Sequence, residues 1–209
     1  EKLGESCTGR KLISAIYRYK GRDITKTVDG IAYKTPIILS AGFDYNGRLT
    51  RILPCVSFGG VEVGSITARE CAGNSAPRLI RLPLSKSLIV NKGLRNDGVE
   101  KIIRRLKTRV KEPGFIVGIS IARTNDDKAS SIEAGIEDYV TTFRMLNEAG
   151  IGDYYAINIS CPNAYGGETF ATPVLLPRLM SALEAIPCAK PVYVKIPISL
   201  GWEEFDSLL

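Results

Sequence analysis

The sequence predicts an α/β protein whose parallel strands form a (β/α)8 TIM barrel. Short runs rich in β-branched residues alternate with longer segments of helical periodicity, which is typical of parallel sheets with helical crossovers. Polar side chains follow several of these runs, and the C-terminal strand ends of α/β barrels carry the chemistry. An open doubly wound sheet needs a phosphate-binding glycine loop after its first strand. Residues 42–47, G-F-D-Y-N-G, match neither that fingerprint nor a Walker motif.

The N-terminal part is predicted to hold a helix, a hairpin and the first strand of the sheet. Residues 6–19 place apolar side chains on one helical face, and Ser6 is suited to cap that helix. Residues 28–38 are expected to form a hairpin that turns at Asp29-Gly30. Residues 36–41 then form an apolar strand.

From residue 49 onward, helices and strands alternate. Helices are predicted at 49–58, 97–110, 130–149, 173–185 and 202–209, and strands at 61–66, 115–122, 154–161 and 191–196. Pro54 interrupts or bends the first of these helices, and a long irregular connection covers 67–96. We therefore expect a helical extension at 1–27 followed by one barrel domain at 28–209. With five strand–helix steps, that barrel is truncated and lacks about three strands at its C-terminal end.

Composition narrows the chemistry that the chain can perform. The sequence has no histidine, which excludes a Ser/His triad and a histidine-ligated metal, so no metal site is expected. The five cysteines are odd in number and far apart, which favours reduced thiols of a cytoplasmic protein over disulfides or a zinc site. The net charge is +6, and the basic runs at 10–22 and 101–111 are interpreted as solvated helix faces rather than a nucleic-acid interface. Acid–base chemistry must therefore use cysteine, lysine, tyrosine or a carboxylate.

Residues 154–165, Y-Y-A-I-N-I-S-C-P-N-A-Y, carry the strongest chemical signal. Alternation predicts a strand, and Pro162, which cannot donate to a sheet ladder, ends it near Cys161. Asn158, Cys161 and Asn163 then gather at the C-terminal strand end. A carboxamide holds a planar polar ligand by donating and accepting at once, and a thiol, with an ordinary pKa of ~8.5, can act as a base. A satisfied strand end with a buried structural cysteine is the alternative interpretation.

Seven motifs in order resemble the dihydroorotate dehydrogenases, the FMN-dependent oxidoreductases of pyrimidine biosynthesis. The resemblance runs from about residue 28 to the end of the chain. The motifs are S-A-G-F-D-Y-N-G (40–47), V-E-V-G-S-I-T (61–67), G-N-S-A-P-R-L-I-R-L (73–82), G-L-R-N-D-G (93–98), E-D-Y (137–139), I-N-I-S-C-P-N (157–163) and V-K-I (194–196). Seven matches in the family's order are far more specific than any one of them.

The resemblance implies FMN as cofactor and oxidation of dihydroorotate to orotate. Cys161 matches the base that removes a proton from C5 of dihydroorotate, while C6 delivers hydride to flavin N5. Lys195 would lie by the N1/O2 edge of the flavin, where a fixed cation stabilises developing negative charge. The implied cofactor-binding residues are Ala41, Gly42, Ser65, Ser120, Asn158 and Lys195, and the implied substrate-binding residues are Asn96, Asn158 and Asn163.

The motifs combine features of two classes within this family. The glycine-rich loop, the long connection and the amphipathic start resemble the membrane-associated, quinone-linked class, whereas cysteine before Pro-Asn is typical of the soluble class that uses fumarate or NAD. We expect a quinone as electron acceptor in preference to fumarate or NAD. The same resemblance suits a cytoplasmic protein with peripheral contact to the inner face of a membrane, and a homodimer.

Three positions depart from the quinone-linked pattern. Tyr45 stands in place of a lysine that contacts the flavin, and Arg95 and Ser120 each stand in place of an asparagine. These departures keep two alternatives open. One is a related flavin oxidoreductase acting on another dihydropyrimidine, and the other is a non-catalytic half-barrel subunit.

Overall fold

A five-stranded parallel sheet forms the centre of the computed structural model, which describes residues 1–109, 112–162 and 170–208. The strands in chain order are β1 (Lys26–Val28), β2 (Ile31–Tyr33), β3 (Ile38–Leu39), β4 (Gly60–Ile66), β5 (Leu79–Leu82), β6 (Ser87–Val90), β7 (Ile116–Ile121), β8 (Tyr154–Asn158) and β9 (Val192–Lys195). The sheet has the spatial order β3-β4-β7-β8-β9, and every neighbouring pair is parallel. This confirms the α/β prediction: the described residues form part of a TIM barrel, and the barrel is not closed within them.

Helices connect the strands and cover one face of the sheet. The helices are α1 (Lys2–Glu5), α2 (Cys7–Tyr17), α3 (Val99–Lys107), α4 (Ile132–Glu148), α5 (Leu175–Glu184) and α6 (Trp202–Leu208). The apolar sides of α3, α4 and α5 face the sheet, and Phe143 and Leu179 are almost fully buried there. Ser131 caps α4, since its hydroxyl accepts a hydrogen bond from the Ala134 amide at 3.2 Å. None of the helices within the described residues combines the length and apolarity that crossing a membrane requires.

The two faces of the sheet bury different side chains. On the helix-covered face, alternate residues of β4 and β7 such as Val61, Val63 and Ile119 are completely buried. Each such side chain contributes about 1.5–3 kcal/mol of burial free energy. The opposite side, called here the inner face, carries a smaller cluster formed by Ile116, Tyr154 and Ala156, with Tyr33 from β2 packed against it.

The hairpin that packs on the inner face turns where the sequence predicts. Val28 pairs with Ile31, and both turn residues have positive φ, 48° at Asp29 and 77° at Gly30. Asp-Gly favours this conformation, which matches the twist of two paired strands. The cap at Ser6 is also confirmed, since its hydroxyl accepts from the Gly9 amide at 3.1 Å.

Three predicted elements differ in the structure. The helix expected at 49–58 is only a 3-10 turn at Leu53–Val56, because Pro54 has no amide hydrogen and the chain reverses at Ser57 with φ of 72°. The connection at 67–96 is not irregular throughout, because β5 and β6 pair as an antiparallel hairpin within it. The strand expected to end near Cys161 ends at Asn158.

A side chain causes that early end of β8. The Asn158 Oδ1 atom accepts hydrogen bonds from the amide of Ser160 at 3.1 Å and from its hydroxyl at 2.8 Å. The Ser160 amide, which would continue the hydrogen-bond ladder of β8, is therefore bound by the Asn158 side chain instead. Asparagine side chains often bind nearby backbone amides in this way at turns. Cys161 consequently lies in the loop after β8 rather than on the strand.

Candidate active site

A cleft of about 240 Å³ opens where the C-terminal ends of β4, β8 and β9 meet the loops after β3 and β6. Six residues that the sequence assigns to the site line it together: Ala41, Gly42, Ser65, Asn158, Cys161 and Lys195. Segments that are up to about 150 residues apart in the chain meet here because all five sheet strands run in the same direction. The volume is below the roughly 300–1,000 Å³ typical of complete ligand pockets.

A bulge in β4 directs Ser65 toward its polar neighbours. The register of β4 against β7 shifts between Val63 and Ile66, and such irregularities re-aim side chains near active sites. Gly64 within the bulge has φ of 126°, a conformation that glycine adopts readily and other residues rarely do. The V-E-V-G-S-I sequence therefore ends in a kink rather than a regular strand.

Hydrogen bonds fix the Asn158 carboxamide at the base of the cleft. Its Nδ2 atom donates to the Ser65 hydroxyl at 2.8 Å, and that hydroxyl lies 2.7 Å from the Ser120 hydroxyl. Ser120 is fully buried behind Ser65 and does not line the cleft itself. The Tyr139 hydroxyl donates to the backbone carbonyl of Asn158 at 2.8 Å, and burial raises the pKa of this phenol, so it stays a donor. The carboxamide is therefore pre-oriented by the hydroxyls of Ser65 and Ser120 on two neighbouring strands, while Tyr139 fixes the backbone of Asn158.

Lys195 ends β9 beside Asn158, with which it is paired in the sheet register. Within residues 1–109, 112–162 and 170–208, no carboxylate lies within ion-pair distance of its ammonium group. Lys195 also lines a second cavity of about 530 Å³ on the inner face, together with Glu62 and Tyr154. Burial raises the pKa of Glu62, although the charge of Lys195 and the Tyr154 hydroxyl at 3.3 Å oppose that effect.

The cleft is positively charged. Lys92, Arg95 and Lys195 line it, whereas no aspartate or glutamate does so in the part of the chain that the structure describes. Cys161 is half-buried and lines the same cleft, three residues beyond the end of β8. A thiol, a fixed carboxamide and three cations, in a cleft whose described lining holds no carboxylate, suit an anionic, planar ligand.

Two predicted substrate contacts are not brought into this cleft by the described residues. Asn96 is buried outside the lining, and its Nδ2 atom donates to the Thr67 hydroxyl and to the Leu94 carbonyl, each at 2.8 Å. Its Oδ1 atom accepts from the Gly98 amide at 2.8 Å. The carboxamide thus fixes the loop that ends at α3. Asn163 lies outside the residues that the structure describes.

Sequence reasoning missed two residues around the site. Asp138, used above only as part of the E-D-Y motif, accepts from the Thr124 amide at 2.8 Å and thereby holds the segment after β7. Lys92 was not singled out at all, yet its ammonium group lies 5.1 Å from the centre of the Tyr45 ring. The sequence feature that could have indicated Asp138 is its position beside the apolar stripe of α4, where a carboxylate is unusual.

Comparisons with known proteins point to one family. The family model described as dihydroorotate dehydrogenase matches residues 23–208. A protein of Synechococcus sp. (strain JA-3-3Ab) named dihydroorotate dehydrogenase (quinone) is 32% identical over 199 residues, covering 95% of this chain and 51% of the relative. A protein of the same name from Roseiflexus sp. (strain RS-1) is 35% identical over 190 residues, covering 89% of this chain and 51% of that relative. The chain therefore spans about half the length of the curated relatives it matches.

Solved structures support the fold. The ligand-free DHODH of Eimeria tenella superposes with a TM-score of 0.77 at 23% identity, covering 99% of this chain and 64% of that one. The complex of the same enzyme with ferulenol gives a TM-score of 0.74 at 24% identity, covering 96% of this chain and 60% of that one. At this identity the likeness concerns the fold alone.

Proposed function

The chain belongs to the dihydroorotate dehydrogenase family, and we propose that it oxidises dihydroorotate to orotate in pyrimidine biosynthesis with FMN bound at the strand-end cleft. The observation that carries this proposal is the meeting of Cys161, Asn158 and Lys195 in one cationic cleft. Each of these side chains supplies a function that the reaction needs: a base, a ring-binding carboxamide and a fixed positive charge.

The residues around the cleft fit a flavin. A Cβ atom added to Gly42 would meet nothing within 4 Å, so this glycine, with φ of 95°, leaves its backbone accessible from the cleft. Ala41, Gly42 and Ser65 would hold the cofactor from one side, and Asn158 and Lys195 from the sheet. When bound, FMN supplies the acceptor for the hydride that leaves C6 of the substrate.

Cys161 is the proposed base. Its sulfur takes the C5 proton as the C5–C6 double bond of orotate forms, so the protein removes one proton and the substrate loses one hydride. Cys161 follows β8 directly, and the tightly hydrogen-bonded turn between Asn158 and Ser160 fixes the direction in which the chain leaves the strand. Cys161 therefore enters the same cleft as the carboxamide that would orient the substrate ring.

Lys195 is the proposed electrostatic partner. Because no carboxylate among the described residues lies within ion-pair distance of its ammonium group, its charge is available to stabilise negative charge that develops during reduction. Ser120 would act through Ser65, whose hydroxyl it contacts at 2.7 Å, rather than by touching a ligand. Asn96 would act similarly, by fixing the loop that carries Leu94 and Arg95 to the cleft.

A quinone is the electron acceptor that we propose, since the relatives at 32–35% identity carry that acceptor in their names. Quinones that carry long apolar tails dissolve in membranes. The face of α2 that bears Leu12 and Ile16 is suited to contact a membrane surface. Leu12 is 61% exposed and Ile16 is 63% exposed. Peripheral contact at this face would bring the protein to its second substrate.

The test uses flavin-loaded protein and anaerobic mixing with dihydroorotate. The Cys161→Ala variant is expected to retain flavin but to lose flavin reduction by about 10²-fold or more, the usual contribution of a positioned base. Cys7→Ala is the matched control, because Cys7 is an exposed thiol at the start of α2. Wild-type rates in Cys161→Ala would eliminate the assigned base.

One observation favours a second candidate function, oxidation of a different dihydropyrimidine by the same cofactor. Two of the three positions that depart from the family pattern, Tyr45 and Arg95, line the cleft directly. A panel of dihydropyrimidines, each mixed with flavin-loaded protein without oxygen, separates the candidates. Faster flavin reduction by a dihydropyrimidine other than dihydroorotate would favour the second candidate.

A further inference from the structure

We propose that Lys92, held against Gly42 and Tyr45, forms a subsite that selects substrates with a carboxylate on the pyrimidine ring. This inference rests on the proposed function, because the carboxylate in question is that of dihydroorotate. Lys92 would be a specificity-determining residue, distinct from Cys161, which performs the proton transfer, and from Lys195, which ends β9.

Two contacts fix the position of the Lys92 ammonium group. It donates a hydrogen bond to the Gly42 carbonyl at 3.0 Å, which joins residues 50 positions apart in the chain. It also lies 5.1 Å from the centre of the Tyr45 ring, within the range of a cation–π interaction. The loop after β6 is thereby attached to the loop after β3 at the edge of the cleft.

Both of these partners are uncharged, so neither neutralises the lysine. In the described part of the chain, no carboxylate lies within ion-pair distance of Lys92. Several other basic side chains of this protein do have such partners; Arg105, for example, contacts Asp97 at 2.7 Å. An ammonium group has three donors, and the Gly42 carbonyl uses one of them. Lys92 therefore presents a positive charge and unused donors to the cleft.

The three cations of the cleft differ in how firmly they are held. Arg95 is exposed, and none of the described residues fixes its guanidinium group by a hydrogen bond or ion pair. Lys195 extends from the sheet and also borders the inner-face cavity. Lys92 alone among the three is half-buried and anchored between two loops. A charged side chain that is already held in place before binding discriminates between charged and neutral ligands better than a mobile one. The mobile side chain must lose conformational entropy when the ligand binds.

The ligand chemistry follows from this placement. A planar ring held by the Asn158 carboxamide, with its carboxylate directed at Lys92, would span the cleft between β8 and the loop after β6. A neutral pyrimidine of the same shape would occupy the same position but would leave the lysine without an anion. Such a difference typically changes affinity by about tenfold or more.

The experiment compares two ligands in the flavin-loaded protein: orotate, and its carboxamide analogue in which the carboxylate is neutral. Equilibrium dissociation constants are measured by titration calorimetry for the wild type, Lys92→Met and Lys92→Arg. Methionine preserves much of the side-chain length without the charge. Lys86→Met is the matched control, because Lys86 is an exposed lysine in the turn between β5 and β6.

The proposal predicts that Lys92→Met weakens orotate about tenfold or more while changing affinity for the carboxamide by less than about twofold. Lys92→Arg should restore most of the preference for orotate, and Lys86→Met should match the wild type. Unchanged orotate affinity in Lys92→Met, or an equal loss for both ligands, would overturn the subsite. In either case, wild-type oxidation of dihydroorotate would leave the proposed function standing. A wild type that neither binds orotate nor is reduced by dihydroorotate would refute both.

Discussion

Removal of the Asp138 carboxylate is expected to cost the fold several kcal/mol. Only 1% of this side chain is exposed, and its oxygens accept from the Thr124 hydroxyl at 2.7 Å and from the Thr124 amide at 2.8 Å. An ion pair to Arg69 at 3.1 Å and a longer contact from the Ala68 amide at 3.4 Å reach the segment after β4. A single residue of α4 therefore joins the two loops that follow β4 and β7.

The magnitude can be worked out from these contacts. In Asp138→Ala the Thr124 amide and hydroxyl lose their acceptor inside the protein, at about 1–3 kcal/mol for each unsatisfied group. The contribution of Arg69 is small, because its side chain is 44% exposed and solvent screens its charge. We expect a loss of about 3–5 kcal/mol in the free energy of unfolding, as for other broken buried charge interactions.

Urea unfolding followed by circular dichroism measures this loss. Asp138→Asn should lose less than Asp138→Ala, because the amide keeps one of the two acceptor oxygens. Glu137→Ala is the control, since this neighbouring carboxylate is exposed and should change stability by less than about 0.5 kcal/mol. A loss below about 1 kcal/mol in Asp138→Ala would refute the assigned role of this residue.

Three further substitutions test the account. Burial raises the pKa of Glu62 above 4.5, so its protonated form contributes stability that is present below that pH and is lost as pH rises through the folded-state pKa. Glu62→Gln should therefore gain about 1 kcal/mol at pH 7 and little at pH 4 in urea unfolding, and an equal gain at both would contradict this. Gly118→Ala should lose about 1–3 kcal/mol, because its Cβ atom would overlap the Tyr154 ring, whereas Gly201→Ala, with 3.7 Å of clearance, should be neutral. Cys161→Ser should shift the pH dependence of flavin reduction upward, since a hydroxyl is less acidic than a thiol, and an unshifted profile would argue against Cys161 as the base.

The central strands of the sheet could be predicted from the sequence because β4, β7 and β8 are buried almost throughout. β4 and β7 each begin and end within one residue of prediction, since continuous β-branched runs have few other stable conformations. The helix predicted at 49–58 fails because apolar periodicity there competes with Pro54 and with the reversal at Ser57. Sequence periodicity predicts an element correctly where nearly all of its residues are buried, as in β4 and β7. It fails where a single residue such as Pro54 fixes the backbone conformation.

The site was predicted less completely than the fold. Family resemblance correctly gathers Ala41, Gly42 and Cys161 in one cleft, because those positions follow recognisable motifs. Tyr45 was interpreted only as the loss of a lysine, but the structure places the ammonium group of Lys92 over its ring. Such a contact joins loops that are distant in the chain, so neither sequence pattern nor spacing could indicate it.

The most direct test of the central claim is the visible absorbance spectrum of the flavin-loaded protein without oxygen, before and after addition of dihydroorotate. If the cleft oxidises dihydroorotate, the oxidised-flavin bands disappear and one orotate forms for each flavin reduced. An unchanged spectrum with no orotate produced would contradict it.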